Sequence, residues 1–161
     1  NFSIITVTMK AIAAISNNLI IGNQGSRPWK SSEDLAHFKA ITTNQCLLMG
    51  RKTYQSCPPL KNRITYVLTK GEKSFWIDNL LVFKIFSIKE IPKPESVFLC
   101  GGAELYKQFL PECSEFFLTI FDFPAFGDTK FPYSLKEIQK MFPKVELHKS
   151  ITNGSIYRYS K

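Results

Sequence analysis

An acidic residue lies among apolar residues in the stretch "RPWKSSEDLAHFKAIT", residues 27–42. On a helix, successive residues turn by about 100°, which places Asp34 on the same face as Phe38 and Ile41. Leu35 flanks this apolar face. A carboxylate in such a position loses hydration and needs a partner. It is therefore suited to handle protons or to hold a cationic or amidine-like group of a buried ligand.

A helix cap is a second explanation for the same acid. Ser31-x-x-Asp34 resembles a capping box, and the helix dipole favours an acid in the first turn. Spacing alone favours the cap, and the two explanations do not exclude each other. The cap does not explain why Asp34 faces the core, whereas Glu33 points away from it, with His37 one turn further along on the more solvated side.

Two further stretches end a buried strand with glycine just before a predicted helix. In "LLMGRKTYQS" the helix begins at Arg51 after Gly50, and in "VFLCGGAELYKQFL" it follows Gly101 and Gly102. A helix N-terminus offers unpaired N–H groups, and glycine admits a ligand close to the backbone, so two such ends together suit a pyrophosphate. The alternative is that each glycine only ends a strand. Neither stretch matches the glycine-rich pattern of classical dinucleotide-binding or P-loop proteins.

The elements that must position these residues alternate along the chain. Short apolar runs closed by turn residues predict strands in "MKAIAAIS", "NQCLLMG", "NRITYVLTKG", "NLLVFKI", "SVFLCGG" and "EFFLTIFDF". Helical segments are predicted at 31–42, from about Arg51, at 87–91 with a Ser-x-x-Glu cap, and at 103–110. This alternation predicts crossover connections and an α/β fold, with a largely parallel sheet covered by helices.

The C-terminal region departs from this alternation. The strand-like runs "KVELHKSI" and "SIYRYSK" flank a Thr-Asn-Gly turn at 152–154, and Asn-Gly between such runs predicts a hairpin. The sheet is therefore expected to be mixed, with antiparallel strands at one edge. The linker-like stretch "PKPES" at 92–96 is too short to divide domains. We expect one domain over 9–161, preceded by a short extension at 1–8.

Composition narrows the class of partner. The 161 residues are 44% hydrophobic and 21% charged, close to the average for globular domains. No apolar run approaches the roughly 20 residues that a bilayer crossing needs. The net charge of +8 favours anionic partners, either nucleic acid or a phosphorylated cofactor. Nucleic acid is disfavoured because the lysines are spread along the chain and no nucleic-acid motif is present.

Cysteine and histidine usage argues against a metal site. His37 and His148 are too isolated to form one, and the cysteines lack paired spacing. The opening "NFSIITVT" has no basic residue before its apolar part, which is atypical of a signal peptide. We expect no metal, a cytoplasmic location and four reduced, mostly buried thiols: Cys46, Cys57, Cys100 and Cys113.

Several motifs occur together in the order and separation of one known family. They are "AIAAIS…IIG", "PWK…EDLAHFK", "LLMGRKTYQS", "PPLKNR", "CGGAELYKQFLP", "FLTIFD" and "GDTKFP". From about Met9 to the C-terminus the chain resembles the dihydrofolate reductases. The resemblance implies a mixed eight-stranded sheet with four helices, and NADPH-dependent reduction of 7,8-dihydrofolate to tetrahydrofolate. In that reaction a hydride passes from the nicotinamide C4 to pterin C6, and N5 gains a proton.

The resemblance also assigns substrate-binding residues. Asp34 matches the family's active-site acid, which binds the pterin 2-amino group and N3 and promotes protonation at N5. Thr119 would support Asp34 through hydrogen bonds, and Trp29 completes the implied catalytic group. Arg63 would pair with the carboxylate of the glutamate tail. The implied pterin and benzoyl pocket is lined by Ile12, Ala14, Leu35, Phe38, Cys57, Leu60 and Cys100.

On the cofactor side, the resemblance places Ala13, Ile21 and Gly22 near the nicotinamide. Two segments would hold the phosphates and ribose: Gly50, Arg51, Lys52 and Thr53 in one, and Gly101, Gly102, Ala103, Glu104, Leu105 and Tyr106 in the other. The residues implied around the 2′-phosphate of NADPH are Arg51, Thr69 and Lys70. The implied cofactor contacts are completed by Leu68, Cys100 and Thr129. Antifolate inhibitors are implied partners, and the chain is expected to be a monomer.

Three departures from the family pattern stand out. Ala103 replaces a glycine that many relatives have, and "SCPPL" is a residue shorter than in some relatives and lacks a basic residue before the proline. Arg27 precedes Pro28-Trp29 at a position that is often apolar, in the loop covering the nicotinamide. Two alternatives remain open: the riboflavin-pathway pyrimidine reductase of the same fold, and a non-catalytic NADPH-binding or nucleic-acid-binding protein.

Overall fold

A computed structural model describes residues 8–57, 60–71, 79–92 and 96–161. Most of the expected N-terminal extension and of the "PKPES" stretch lies outside these residues, as do the two prolines of "PPLKNR". The first strand begins at Thr8, one residue before the expected domain boundary.

The main sheet has eight strands in the order β5-β4-β3-β6-β1-β7-β10-β9, and a separate two-stranded sheet pairs β2 with β8. The strands are β1 (Thr8–Ile15), β2 (Ile20–Gly22), β3 (Cys46–Gly50), β4 (Ile64–Leu68), β5 (Val82–Ile85), β6 (Ser96–Leu99), β7 (Glu115–Phe121), β8 (Thr129–Lys130), β9 (Lys144–Ile151) and β10 (Gly154–Ser160). The six neighbouring strands β5, β4, β3, β6, β1 and β7 pair in parallel, whereas β10 is antiparallel to both β7 and β9. The predicted mixed sheet with a C-terminal hairpin is confirmed.

Four α-helices flank the sheet: α1 (Ser32–Thr42), α2 (Arg51–Ser56), α3 (Ala103–Phe109) and α4 (Leu135–Met141). Short 3₁₀ turns occur at Ile88–Glu90 and Leu110–Glu112. Sequence patterning did not predict α4, although Ser134 and Glu137 form a capping box at its start. None of the helices in the described ranges is both long and apolar enough to cross a membrane.

Side chains alternate between two apolar layers because successive residues of a strand point to opposite faces. On β1, Ala11 and Ile15 belong to the larger layer, which also contains residues of α3 and α4. Ile12 belongs to the smaller layer, against which Phe38 of α1 packs. Burial on both faces explains why the central parallel strands β3, β4 and β7 are mostly apolar runs in the sequence.

The exposed face of α1 differs from the prediction. The expected position of His37 on the solvated side is wrong, because its ring is buried, with centroids 6.0 Å from Phe117 and 5.5 Å from His148. Leu35, which was expected to flank the apolar face, is 56% exposed. The orientation of α1 is therefore set by its packing on β7 and β9. The positions of apolar residues within α1 alone do not predict that orientation.

The first turn of α1 has two anchors outside the helix ladder. Ser31 is the N-cap, and its Oγ accepts a hydrogen bond from the N–H of Asp34 at 3.1 Å. Glu33 Oε1 accepts one from the N–H of Thr152 at 2.9 Å, and the Thr152 side chain, followed by this N–H, lowers the pKa of Glu33. The predicted capping by Ser31 is confirmed. Glu33 lies outside the core as expected, but it binds the turn of the C-terminal hairpin.

Candidate active site

Asp34 and Thr119 form a buried polar pair between α1 and the sheet. Both residues are buried, and the Thr119 hydroxyl donates a hydrogen bond to Asp34 Oδ1 at 2.7 Å. Thr119 comes from β7 and is paired in register with Ala14 of β1. The carboxylate predicted to face the core is therefore fixed by a side chain 85 residues away in the sequence. Capping is the function of Ser31, and Asp34 contributes only its backbone N–H to it.

Trp29 lies in the loop that precedes α1. Its ring packs on Phe121 at a centroid distance of 5.2 Å and on Phe123 at 6.3 Å. Its indole Nε1 is buried and has no hydrogen-bond partner within the described part of the chain. A buried N–H without a partner is costly, so this donor is suited to a ligand or a bridging water.

Arg27, from the same loop, forms an ion pair with Asp34. Its Nη1 atom lies 3.6 Å from Asp34 Oδ2, and its side chain is 45% exposed compared with 7% for Asp34. The guanidinium therefore approaches the carboxylate from the solvent side. Sequence comparison marked Arg27 as unusual but did not place it against Asp34.

A wall of apolar side chains continues from the acid. Of the residues implied for the pterin and benzoyl pocket, five belong to the smaller apolar layer: Ile12, Phe38, Cys57, Leu60 and Cys100. Ala14 and Leu35 are not part of it. Burial raises the pKa of the Cys57 and Cys100 thiols, so both remain neutral at physiological pH. The four cysteines are free; Cys113 is buried, and Cys46, Cys57 and Cys100 are partly buried.

Arg63 lies near the C-terminal end of α1. Although it is buried, its Nε donates to the Lys61 carbonyl at 2.8 Å and its Nη1 to Thr42 Oγ1 at 3.3 Å. These two contacts orient the guanidinium plane. A guanidinium held in this way is suited to bind a carboxylate through two parallel hydrogen bonds.

The two glycine-bounded helix starts lie side by side, which is the arrangement that the pyrophosphate hypothesis requires. The N–H of Gly50 donates to the carbonyl of Gly101 at 2.9 Å, which joins the end of β3 to the start of the α3 region. Gly50 and Gly102 are the N-caps of α2 and α3, and neither helix has a side-chain cap. A Cβ on Gly102 would lie 3.3 Å from Thr53 Oγ1, so the two segments meet closely.

Gly101 has a positive φ of 110°, in the backbone region that favours glycine. A Cβ there would lie 3.2 Å from the ring of Tyr106. Tyr106 is itself buried, and its hydroxyl donates to the carbonyl of Ile12 at 2.7 Å. Helix α3 is thus fixed to β1, which forms part of the apolar wall. Leu105 is buried in the same helix, whereas Ala103 is partly and Glu104 fully exposed at its start.

Cationic side chains surround these helix starts. Arg51 Nη1 donates to Gln55 Oε1 at 3.0 Å, and Lys52 is exposed next to it. Lys70 Nζ lies 3.8 Å from Glu104 Oε2, with both side chains almost fully exposed. Thr69, which precedes Lys70, is buried. A cavity of about 380 Å³ opens nearby, lined by Leu68, Phe86, Ser87, Ile88, Gln108, Phe109 and Glu112.

The small sheet carries the residues implied near the nicotinamide. Ile21 and Gly22 lie on β2, and Gly22 pairs with Thr129 of β8. A Cβ on Gly127 would lie only 2.3 Å from the Gly22 carbonyl oxygen, so that position requires glycine. Ala13 lies on β1, partly buried. The region therefore brings together four of the predicted residues.

Asp128 was not predicted as a functional residue, although it lies within the quoted "GDTKFP" motif. Its Oδ2 accepts a hydrogen bond from the N–H of Gln24 at 3.0 Å, and its Oδ1 accepts one from Thr129 Oγ1 at 2.9 Å. The contact with Gln24, followed by that with Thr129, lowers the pKa of Asp128. Asp128 thus ties the loop that carries Arg27 and Trp29 to the small sheet.

Comparison with known proteins gives a consistent result. The chain matches the family model described as dihydrofolate reductase over residues 8–160. It is 32% identical over 151 residues to the dihydrofolate reductase of Mycoplasma genitalium, covering 89% of this chain and 87% of the relative. It is 35% identical over 123 residues to that of Bacillus subtilis, covering 75% and 73%.

Structural comparison extends this result to the three-dimensional fold. Dihydrofolate reductase from Enterococcus faecalis, complexed with NADP(H) and RAB-propyl, is similar with a TM-score of 0.78 and 26% identity, over 95% of both chains. The chain belongs to the dihydrofolate reductase family.

Proposed function

We propose that this chain reduces 7,8-dihydrofolate to 5,6,7,8-tetrahydrofolate with NADPH, the hydride reaching C6 of the pterin while N5 gains a proton. Membership of the family gives the overall reaction, in support of one-carbon metabolism. The observation that carries the assignment of the site is the buried Asp34 carboxylate, fixed by Thr119 at the edge of an apolar wall.

Asp34 binds the 2-amino group and N3 of the pterin and promotes protonation at N5. The geometry supports this because a buried carboxylate with one oxygen held by Thr119 is oriented before the ligand arrives. The unpartnered Trp29 Nε1 offers a donor for the polar edge of the pterin or for a water. Arg63, oriented by Lys61 and Thr42, binds the carboxylate of the glutamate tail.

The cofactor segments fit a dinucleotide diphosphate. The starts of α2 and α3 lie together without side-chain caps, and their glycines leave no side chain between the backbone and a ligand. Arg51, Thr69 and Lys70 bind the 2′-phosphate, which agrees with the net charge of +8. The partly exposed Leu68 and its cavity lie beside these residues and accept the adenine end.

The alternatives from sequence are less well supported. The family match favours folate over the riboflavin-pathway substrate. The Asp34–Thr119 hydrogen bond opposes a non-catalytic binding protein, because a buried carboxylate is costly to keep without a function. We also propose that the chain acts as a monomer in the cytoplasm, since one chain supplies both halves of the site. Sedimentation at working concentrations tests the monomer, and a dimer would contradict it.

Purified protein should oxidise NADPH, measured as a loss of its near-ultraviolet absorbance, only when dihydrofolate is present. The matched control replaces dihydrofolate with the ribosylated pyrimidine phosphate of the riboflavin pathway, for which we expect no turnover. Turnover of that compound instead of dihydrofolate would support the rival reductase. Binding of NADPH without turnover of either substrate would support the non-catalytic alternative.

A further inference from the structure

We propose that Arg27 is a specificity-determining residue that shares the Asp34 carboxylate and disfavours ligands bringing a positive charge to it. The inference rests on the proposed function only in that Asp34 is taken to bind the amidine-like edge of the ligand. It concerns which ligands the site selects, and it assigns a function to the residue that departs from the family pattern.

The geometry divides the two carboxylate oxygens between two partners. Oδ1 accepts the hydrogen bond from Thr119, and Oδ2 faces Arg27 Nη1 at 3.6 Å. That separation is an ion pair and is longer than a good hydrogen bond. A ligand can therefore insert its own donors at Oδ2 without breaking a short contact, while the guanidinium remains within a few ångströms.

The backbone around Arg27 is fixed on both sides. Asn23 and Ser26 exchange two backbone hydrogen bonds, at 2.7 and 3.1 Å, and the N–H of Gln24 is held by Asp128. After Arg27, the ring of Trp29 packs on the core. The guanidinium is therefore presented by a braced loop, and its place over the acid follows from the fold.

The charge of Arg27 also acts on two side chains of the smaller apolar layer, Cys57 and Cys100. It lowers the pKa of Cys57 and of Cys100, opposing the larger effect of burial at both thiols. Its field therefore extends over the ligand-facing side chains beyond Asp34. A cation placed at Asp34 lies inside this field, whereas a neutral ligand is little affected by it.

Two classes of ligand present similar hydrogen-bonding edges to Asp34 but differ in net charge, so Arg27 should affect their affinities differently. A protonated 2,4-diaminopyrimidine is a cation, so its attraction to Asp34 is opposed by Arg27 nearby. A 2-amino-4-oxopyrimidine, which has the same edge as the pterin, is neutral. Because Arg27 is partly exposed and screened, we expect an effect of about tenfold in affinity for the cation.

The test measures the dissociation constants of 2,4-diaminopyrimidine and of neutral 2-amino-4-oxopyrimidine by chemical-shift titration of the NADPH-saturated protein. Arg27→Met should tighten the cation about tenfold and leave the neutral compound within about twofold. Arg27→Lys, which keeps the charge, should retain most of the discrimination. Lys30→Met removes an exposed cation from the same loop and should leave both constants unchanged.

The ratio of the two constants separates charge from structure. If Arg27 only braces the loop, Arg27→Met changes both dissociation constants by the same factor or changes neither. The ratio of the constants then stays as in the unmodified protein, and the proposal is wrong. Turnover of dihydrofolate by the unmodified protein is measured separately. If turnover is present while the ratio does not move, only the assignment of Arg27 fails; if turnover is absent, the proposed function fails.

Discussion

The acidic end of the candidate site, around Asp34, and its cationic end, around Arg51 and Lys70, differ in burial and in what fixes their charged groups. At the acidic end, Asp34 is buried and one oxygen is held by a single hydroxyl, that of Thr119. At the cationic end, Lys70 is almost fully exposed and its ion pair with Glu104 is 3.8 Å long. The backbone of the two glycine segments provides most of the fixed geometry there.

This difference predicts how the two ends respond to change. A buried charge has few alternative partners, so removing the charge or the hydroxyl that hydrogen-bonds to it is expensive. Exposed cations act through a screened field and can replace one another in part. Substitutions at the acidic end should therefore cause large losses that salt does not alter, and those at the cationic end should cause graded losses that depend on salt.

The largest effect is expected for Asp34→Asn. Loss of the carboxylate removes the group that promotes protonation, and hydride transfer near neutral pH should fall by about 10²- to 10⁴-fold. The loss should shrink at low pH, where solution supplies the proton to the substrate. Single-turnover kinetics across pH measure this. Glu33→Gln, which alters the neighbouring surface acid, is the matched control, and equal losses in both variants would remove the special position of Asp34.

Thr119→Val should have the next largest effect. It removes the hydroxyl that holds Asp34 and leaves a buried carboxylate short of a partner, at a cost of about 1–3 kcal/mol in the free energy of unfolding. We expect kcat to fall about tenfold with a smaller change in KM for dihydrofolate. Thr119→Ser keeps the hydroxyl and should recover most of the rate. If serine and valine behave alike, the hydrogen bond is not what positions the acid.

At the cationic end, replacing both Arg51 and Lys70 with alanine should weaken NADPH by about tenfold at low salt, with little change for NADH. The difference between the cofactors should narrow as salt is raised. Lys140→Ala, which removes an exposed cation on α4, is the control for net charge. Equal losses for NADPH and NADH would show that these residues do not read the 2′-phosphate.

The smallest effect concerns pH and stability at the acidic end. Burial lowers the pKa of His37; Asp34 opposes this, and His148 and Lys149 add to it. The His37 imidazole therefore binds a proton less readily in the folded chain than in the unfolded chain, where a histidine has a pKa of about 6.5. Stability should fall as the pH drops below that value, until the pH passes below the folded pKa.

Denaturant unfolding at a series of pH values measures this dependence. Glutamine at position 37 cannot be protonated, so His37→Gln should reduce the fall in the free energy of unfolding below neutral pH, whereas the control Lys39→Gln should not. An unaltered slope in His37→Gln would show that the buried imidazole is not the group responsible.

Much of the fold could be read from the sequence because the central parallel strands, such as β3, β4 and β7, are buried on both faces. Continuous apolar runs then mark each parallel strand, and a Thr-Asn-Gly turn marks the hairpin. Helix α4 and the strands of the small sheet were missed. They are short, and their positions depend on tertiary contacts such as the close approach of Gly127 to Gly22.

The candidate site was predictable where a residue belongs to a motif, and less so where its neighbours come from distant segments. Asp34 and the glycine segments could be identified from local pattern. His37 could not, because its burial depends on β7 and β9. The approach of Arg27 to Asp34 depends on a loop conformation that no periodicity encodes.

The hydrogen bond from Thr152 to Glu33 has a consequence for protein synthesis. It joins the first turn of α1, which carries Asp34, to a segment made 119 residues later. Strand β7, which supplies Thr119, is likewise paired on one side by β10, with Ile156 opposite Thr119. A nascent chain still lacking its hairpin has neither contact, so the acid acquires its final surroundings only after translation has passed these residues.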